Sequence, residues 1–300
     1  MAASSQPRKR TFSSPAGCGA EPPAPMQRLV TGLLGTLLAL AAVFWLPGWW
    51  FFVFVAAVID WAAFEYLIIV RPRAPRAPLR LLLVLAPVAA YAISFALSDN
   101  TDLLALRLHL LAGALVISVG LGTVLLFSRT PLEETIPALG ILGFGIPYFA
   151  LPIASTFRLR EIDPWVVFLL FAMVWLGDTA AYYIGSRLGR HKLAPVISPK
   201  KSWEGAAAGF VVALAAAVVW SLLRLRRLDW GILAAAAATA GMAQVGDLVE
   251  SMIKRGAGVK DSGSVLPGHG GVLDRLDALL FASPVLLFAL WLMNVDTASQ

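Results

Sequence analysis

The sequence predicts an all-α, polytopic integral membrane protein with about nine transmembrane helices. Three observations carry this expectation. Of 300 residues, 59% are hydrophobic and 14% charged, against roughly 25% charged residues in ordinary soluble domains. The apolar residues fall into runs of about 20, the length a helix needs to cross a hydrocarbon core. Those runs are continuous and rich in Leu, Ala, Val and Phe, whereas the strands of a membrane barrel alternate between apolar and polar positions.

Taken in order, residues 1–27 combine Ser, Pro, Ala and Arg and read as a disordered cytoplasmic tail. Arg8, Lys9 and Arg10 stand too far from the first apolar run for a standard signal peptide. An organellar transit peptide is the competing reading, since only Glu21 is acidic there. The sole cysteine, Cys18, excludes an intrachain disulfide and a cysteine-based metal centre.

Apolar runs follow near 29–46, 49–70, 79–97, 103–127, 135–156, 164–185, 205–223, 229–250 and 271–293. A Leu46, Pro47, Gly48 turn separates the first two, and Trp49 and Trp50 read as interfacial anchors. Residues 28–157, about five helices, hold few embedded charges and form an amino-terminal scaffold. Residues 158–300, about four helices, hold Asp178, Asp247, Glu250, Asp274 and Asp277 within or at the ends of spans. That region is the candidate catalytic one.

The net charge of +6 reflects membrane orientation rather than nucleic-acid binding. With the amino terminus in the cytoplasm, most of the 24 Lys and Arg fall on the cytoplasmic side, as the positive-inside bias requires. The loops after spans six and eight are then two crossings apart and share that face.

Those two loops are the polar islands of the chain. The longer, Ser251 to Asp277, sets Lys254, Arg255, Lys260, Asp261, His269, Asp274, Arg275 and Asp277 among glycines 256, 258, 263, 268, 270 and 271. Glycines let backbone approach a ligand closely, although no Walker-type phosphate loop is present. The helical period places Glu250, Ser251 and Lys254 on the face of Asp247. Asp274 and Asp277 neighbour each other on one turn; as interfacial or helix-capping charges they would need no ligand.

Asp178 lies deep in span six, where a carboxylate facing lipid would cost at least a few kcal/mol. Converging acids of this kind suit a hard divalent cation, because Mg2+ takes carboxylate and substrate phosphate oxygens. Lys254, Arg255, Lys260 and Arg275 would supply phosphate-facing charge. The shorter island, Ser198 to Gly205, brings Ser198, Lys200 and Lys201 to the mouth of span seven. Ser202 there is positioned to cap the following helix.

These residues resemble the phosphatidate cytidylyltransferases, also called CDP-diacylglycerol synthases. The family signature is met by Ser251, Lys254, Arg255, Lys260, Asp261, His269, Gly270, Gly271, Asp274, Arg275 and Asp277. The resemblance extends to Gly246–Ser251, to SPKKSWEG and to Asp178–Gly185, covering most of 175–290. Ala180 stands where relatives commonly carry Gly, a small-for-small change. The amino-terminal half matches only in hydrophobic character.

The resemblance implies transfer of CMP from CTP to phosphatidic acid, giving CDP-diacylglycerol and pyrophosphate. It implies Asp247, Lys254, Arg255 and Asp274 as catalytic residues. Ser198, Lys201, Ser251, Lys260, His269 and Arg275 would bind substrate, with the role of His269 open between phosphate binding, proton transfer and loop ordering. Mg2+ would be held by Asp247 and Asp274, with Asp277 and Asp178 as further candidate metal ligands. A second, monovalent cation such as K+, a homodimer and a bacterial inner-membrane location are further implications. The competing readings are another CTP-dependent membrane transferase, such as a polyprenol kinase, and a secondary transporter coupling ions through Asp178 and Asp247. The transporter reading leaves the glycine-rich loop and its Lys-Arg pair without a use.

Overall fold

A computed structural model describes residues 25–70, 82–96, 132–266 and 270–293. The helices are α1 (Pro25–Trp45), α2 (Gly48–Val70), α3 (Leu82–Ala96), α4 (Leu132–Ile162), α5 (Pro164–Leu188), α6 (Trp203–Arg224), α7 (Trp230–Ala257) and α8 (Leu273–Leu292). Among the described residues, six of these are long and apolar enough to cross a membrane: α2 and α4 to α8. The all-α membrane class holds. The expected run at 103–127, the tail to residue 24 and His269 lie outside the described residues.

Two details differ from the sequence reading. Helix α4 continues past 156 to Ile162, across the expected boundary between 157 and 158. Between α5 and α6 the chain forms a small antiparallel hairpin, β1 (Lys192–Ala194) with β2 (Ser198–Ser202). This second island therefore stands as a folded projection rather than a plain helix mouth.

The core is built on α4, which packs against α2, α3, α5 and α8. Its Leu142, Ile146, Phe149 and Ile153 are buried, as are Leu169, Leu170 and Met173 of α5. Helices α5 and α6 meet along a seam of small residues at spacing four. A Cβ on Gly209 would lie 2.8 Å from the Gly177 carbonyl oxygen, and one on Gly205 would lie 2.7 Å from that of Ala181. Small residues allow the two backbones to approach, which is how helices gain contact where lipid removes the hydrophobic drive between them.

One end of the bundle is closed by caps. Asp163 accepts the Trp165 N–H at 2.9 Å ahead of α5, with Pro164 at the first helical position. Its other oxygen accepts from Arg224 Nη2 at 3.1 Å, and the Arg224 guanidinium lies over the Trp165 ring. Arg160 donates to the carbonyls of Val43 and Leu46 at the end of α1, satisfying acceptors that the helix leaves open. Asp229 caps α7 through Gly231 and Ile232. The polar islands occupy the opposite end.

Candidate active site

The hairpin is clamped at its base before it presents its lysines. His191 Nδ1 lies 2.7 Å from Glu204 Oε1, and the His191 N–H donates to the same carboxylate at 3.1 Å. Ser202 accepts the Gly205 N–H at 3.2 Å, which starts α6 as expected from sequence. With the base of the hairpin fixed, Lys201 reaches across to α7 and forms an ion pair with Asp247. Arg255 Nε donates to the carbonyl of Ile197 at 3.4 Å. The two islands are thus in contact, as their shared face predicts.

Helix α7 delivers its charges on one face. Lys254 Nζ lies 2.6 Å from Glu250 Oε2 one turn earlier and 2.5 Å from Asp274 Oδ1 on α8. Side-chain exposure is 12% for Lys254, 1% for Glu250 and 9% for Asp274. A single ammonium therefore joins two closed-off carboxylates. Asp274 Oδ2 faces the other way and accepts the backbone N–H groups of Ser262 and Gly271 at 3.0 and 2.9 Å. Helix α7 ends directly beyond Lys254: Gly258 takes a left-handed conformation at φ 79°, and the Val259 N–H closes on the Lys254 carbonyl.

Close packing of α7 on α8 sets the second pair of acids. A Cβ on Gly246 would lie 2.7 Å from the carbonyl oxygen of Asp277, so only glycine lets Asp247 come this near to α8. Asp277 lies within electrostatic range of Asp247, Glu250 and Asp178, and its Oδ1 accepts the Ala278 N–H at 2.7 Å. Asp178 is exposed at a small cavity shared with Gly177, Ala181, Gly209, Thr239 and Gln244, within electrostatic range of Asp247, Lys201 and Arg275.

Lys201, Asp247, Lys254 and Asp274 are thus tied into two ion pairs, with Asp178 and Asp277 around them. Ser198 and Ser251 are half-buried, while Arg255, Lys260 and Arg275 are exposed at the rim.

Among the described residues no group of three or more His, Cys, Asp or Glu is close enough to enclose a metal ion. A complete protein cage is therefore not what these acids make. Mg2+ binding here would have to take the other mode, in which one or two carboxylates share the ion with substrate phosphates and water. Among the four acids, Asp274 already uses both oxygens on Lys254 and two N–H donors.

Sequence reasoning missed contributions from the amino-terminal half. Glu65 of α2, 2% exposed, accepts from Ser262 Oγ and Leu273 N–H at 2.9 Å and from Val272 N–H at 3.0 Å. Tyr148 of α4, 6% exposed, has its hydroxyl within electrostatic range of Glu250, Asp277 and Asp247 and in no hydrogen bond among the described residues. An intramembrane acid in span two was the available signal for Glu65; Tyr148 carried none.

The fold and site define a polytopic helical membrane protein that gathers lysines, aspartates and backbone N–H donors at one end of its bundle. The chain belongs to the cytidylyltransferase family, whose pattern matches residues 26–293. It is 31% identical to the phosphatidate cytidylyltransferase of Bacillus subtilis over 274 residues, 89% of this chain and 98% of that protein. It is 42% identical to the phosphatidate cytidylyltransferase of Brucella suis over 153 residues, 50% of this chain and 55% of the relative. The Haemophilus influenzae protein of that name is 39% identical over 172 residues, 53% of this chain and 57% of the relative. The chain thus spans about half the length of the last two and nearly all of the first.

Proposed function

We propose that this chain is a phosphatidate cytidylyltransferase, transferring CMP from CTP to phosphatidic acid and releasing pyrophosphate. The observation that carries the reading is the pairing of Lys201, from the hairpin, with Asp247 of α7, at the same end of the bundle as the Lys254–Asp274 pair. It is supported by family membership and by the 31% identity along nearly the whole Bacillus relative.

In the reaction, an oxygen of the phosphatidate phosphate attacks the α-phosphorus of CTP, a new P–O bond forms, and the bond to the β-phosphate breaks. Little covalent chemistry falls to the protein, so it contributes position and charge. Lys201 and Lys254 exchange their carboxylate partners for phosphate oxygens when CTP enters. Arg255, Lys260 and Arg275, at the rim, hold the outer phosphates, and Ser198 and Ser251 add hydroxyl contacts. The attacking phosphate is already anionic, so no strong general base is required.

Asp247 and Asp277 would hold Mg2+ together with substrate phosphates, with Asp178 and Asp274 nearby, and the ion would supply positive charge against the leaving pyrophosphate. The acyl chains enter sideways between helices, and the site faces the cytoplasm of a bacterial inner membrane, in keeping with the Lys and Arg bias.

The test is direct. Purified protein in detergent, given CTP, phosphatidic acid and Mg2+, forms a lipid-soluble nucleotide. Absence of product across several phosphatidic acids refutes the proposal, and CTP-independent ion movement in proteoliposomes would replace it with transport.

A further inference from the structure

Helix α8 carries Asp274 and Asp277 and opens the segment where the site's backbone donors lie, yet it has no side-chain cap of its own. Val272, at the capping position, offers no hydrogen-bonding side chain. The first N–H groups of a helix need acceptors, and those of Val272 and Leu273 find them in Glu65, more than 200 residues earlier in the chain. The same carboxylate accepts from Ser262 Oγ. Ser262 in turn gives its N–H to Asp274.

Two glycines of the loop are explained by this carboxylate. A Cβ on Gly263 would lie 2.8 Å from Glu65 Oε1, and one on Gly271 would collide with Glu65 Oε2 and Ser262 Oγ. The loop is therefore wrapped onto Glu65, and the Gly271 N–H is thereby aimed at Asp274 Oδ2.

We propose that Glu65 is a positioning residue for the transfer reaction: a buried carboxylate of α2 that caps α8 from outside and fixes residues 262–263 and 271–273, and through them Asp274 and Lys254. Each carboxylate oxygen faces donors, so geometry demands two acceptors. Gln turns one of them into a donor facing a donor, whereas Asp keeps both on a shorter stem. The kinetic consequence rests on the cytidylyltransferase reading; the structural one does not.

The experiment compares the full-length protein with its Glu65→Gln and Glu65→Asp variants in detergent, by steady-state kinetics per folded molecule and by amide hydrogen exchange. Glu65→Gln is expected to lower kcat about 10- to 100-fold, with KM for phosphatidic acid within about twofold, in line with the loss of a preorganising contact. The Val272 and Leu273 amides should exchange at least about 10-fold faster, as freed helix N–H groups do. Glu65→Asp should fall between Gln and wild type in both readouts.

If Glu65→Gln does not fold, Ser262→Ala decides, with an expected kcat loss of about 3- to 10-fold, the scale of one ordinary hydrogen bond. Wild-type kcat in the variant that folds overturns the proposal. So does a kcat loss without faster exchange at 272 and 273, or an Asp variant no better than Gln. If the wild type itself makes no product, the proposed function fails while the exchange data still read Glu65's hold on α8.

Discussion

Replacing Lys254 by Met isolates the electrostatic logic of the site. The ammonium sits 2.6 Å from Glu250 and 2.5 Å from Asp274, and the three side chains are between 1% and 12% exposed. Two unit charges about 4 Å apart interact by about 4 kcal/mol at an effective dielectric constant near 20. Lys254 makes two such attractions, which oppose the repulsion between the acids and the cost of desolvating all three groups. Removing one partner of a buried pair typically costs about 3–5 kcal/mol, because the charge left behind has neither water nor counterion.

Here two acids are left, so Lys254→Met is expected to destabilise the protein by about 3–5 kcal/mol. Adding Glu250→Gln should restore at least about 2 kcal/mol, because it removes a buried charge left without a partner. That substitution removes the 1%-exposed carboxylate and leaves Asp274, which keeps its two backbone N–H donors. Equilibrium unfolding in mixed detergent micelles gives both numbers. A Lys254→Met protein within about 1 kcal/mol of wild type would refute the reasoning, as would a double variant no more stable than the single one.

Three further substitutions separate the site from its support. Asp274→Asn should leave the protein folded and lower turnover by at least about 100-fold, the scale of removing one preorganised charge contact; retained activity would take Asp274 out of the site. Gly271→Ala drives a methyl group into Ser262 and Glu65 and should cost about 1–3 kcal/mol of stability together with activity, measured by unfolding and by turnover. Arg224→Ala, at the opposite end, loses its pair with Asp163 and its place over Trp165. It should cost about 1–2 kcal/mol in unfolding experiments while kcat stays within about twofold.

Six of the expected spans were legible because lipid imposes length and continuity on a crossing helix, and the islands were legible because glycines and charges interrupt that continuity. The shared face of the islands followed from counting crossings, and the Lys201–Asp247 pair agrees with it. The pairing itself was not legible, since nothing local in SPKKSWEG says that β2 would fold against β1 and carry Lys201 to α7. Glu65 was hidden for a related reason. Its partners are separated from it by 197 to 208 positions, and a run with few charges reads as scaffold until Glu65 is seen holding residues 262 and 272–273. Asp274 was identified by its place in a motif, whereas its two N–H contacts depend on how residues 262 and 271 converge in space.

The central claim is that the CMP moiety, and no other part of CTP, is transferred to the lipid. Parallel reactions with CTP labelled at the α- or the γ-phosphate, each with phosphatidic acid and Mg2+, test it most directly. The account predicts α-label in the lipid fraction and γ-label only in pyrophosphate, in equal molar amounts. Label from the γ-phosphate in the lipid would instead make the protein a CTP-dependent kinase and contradict the account.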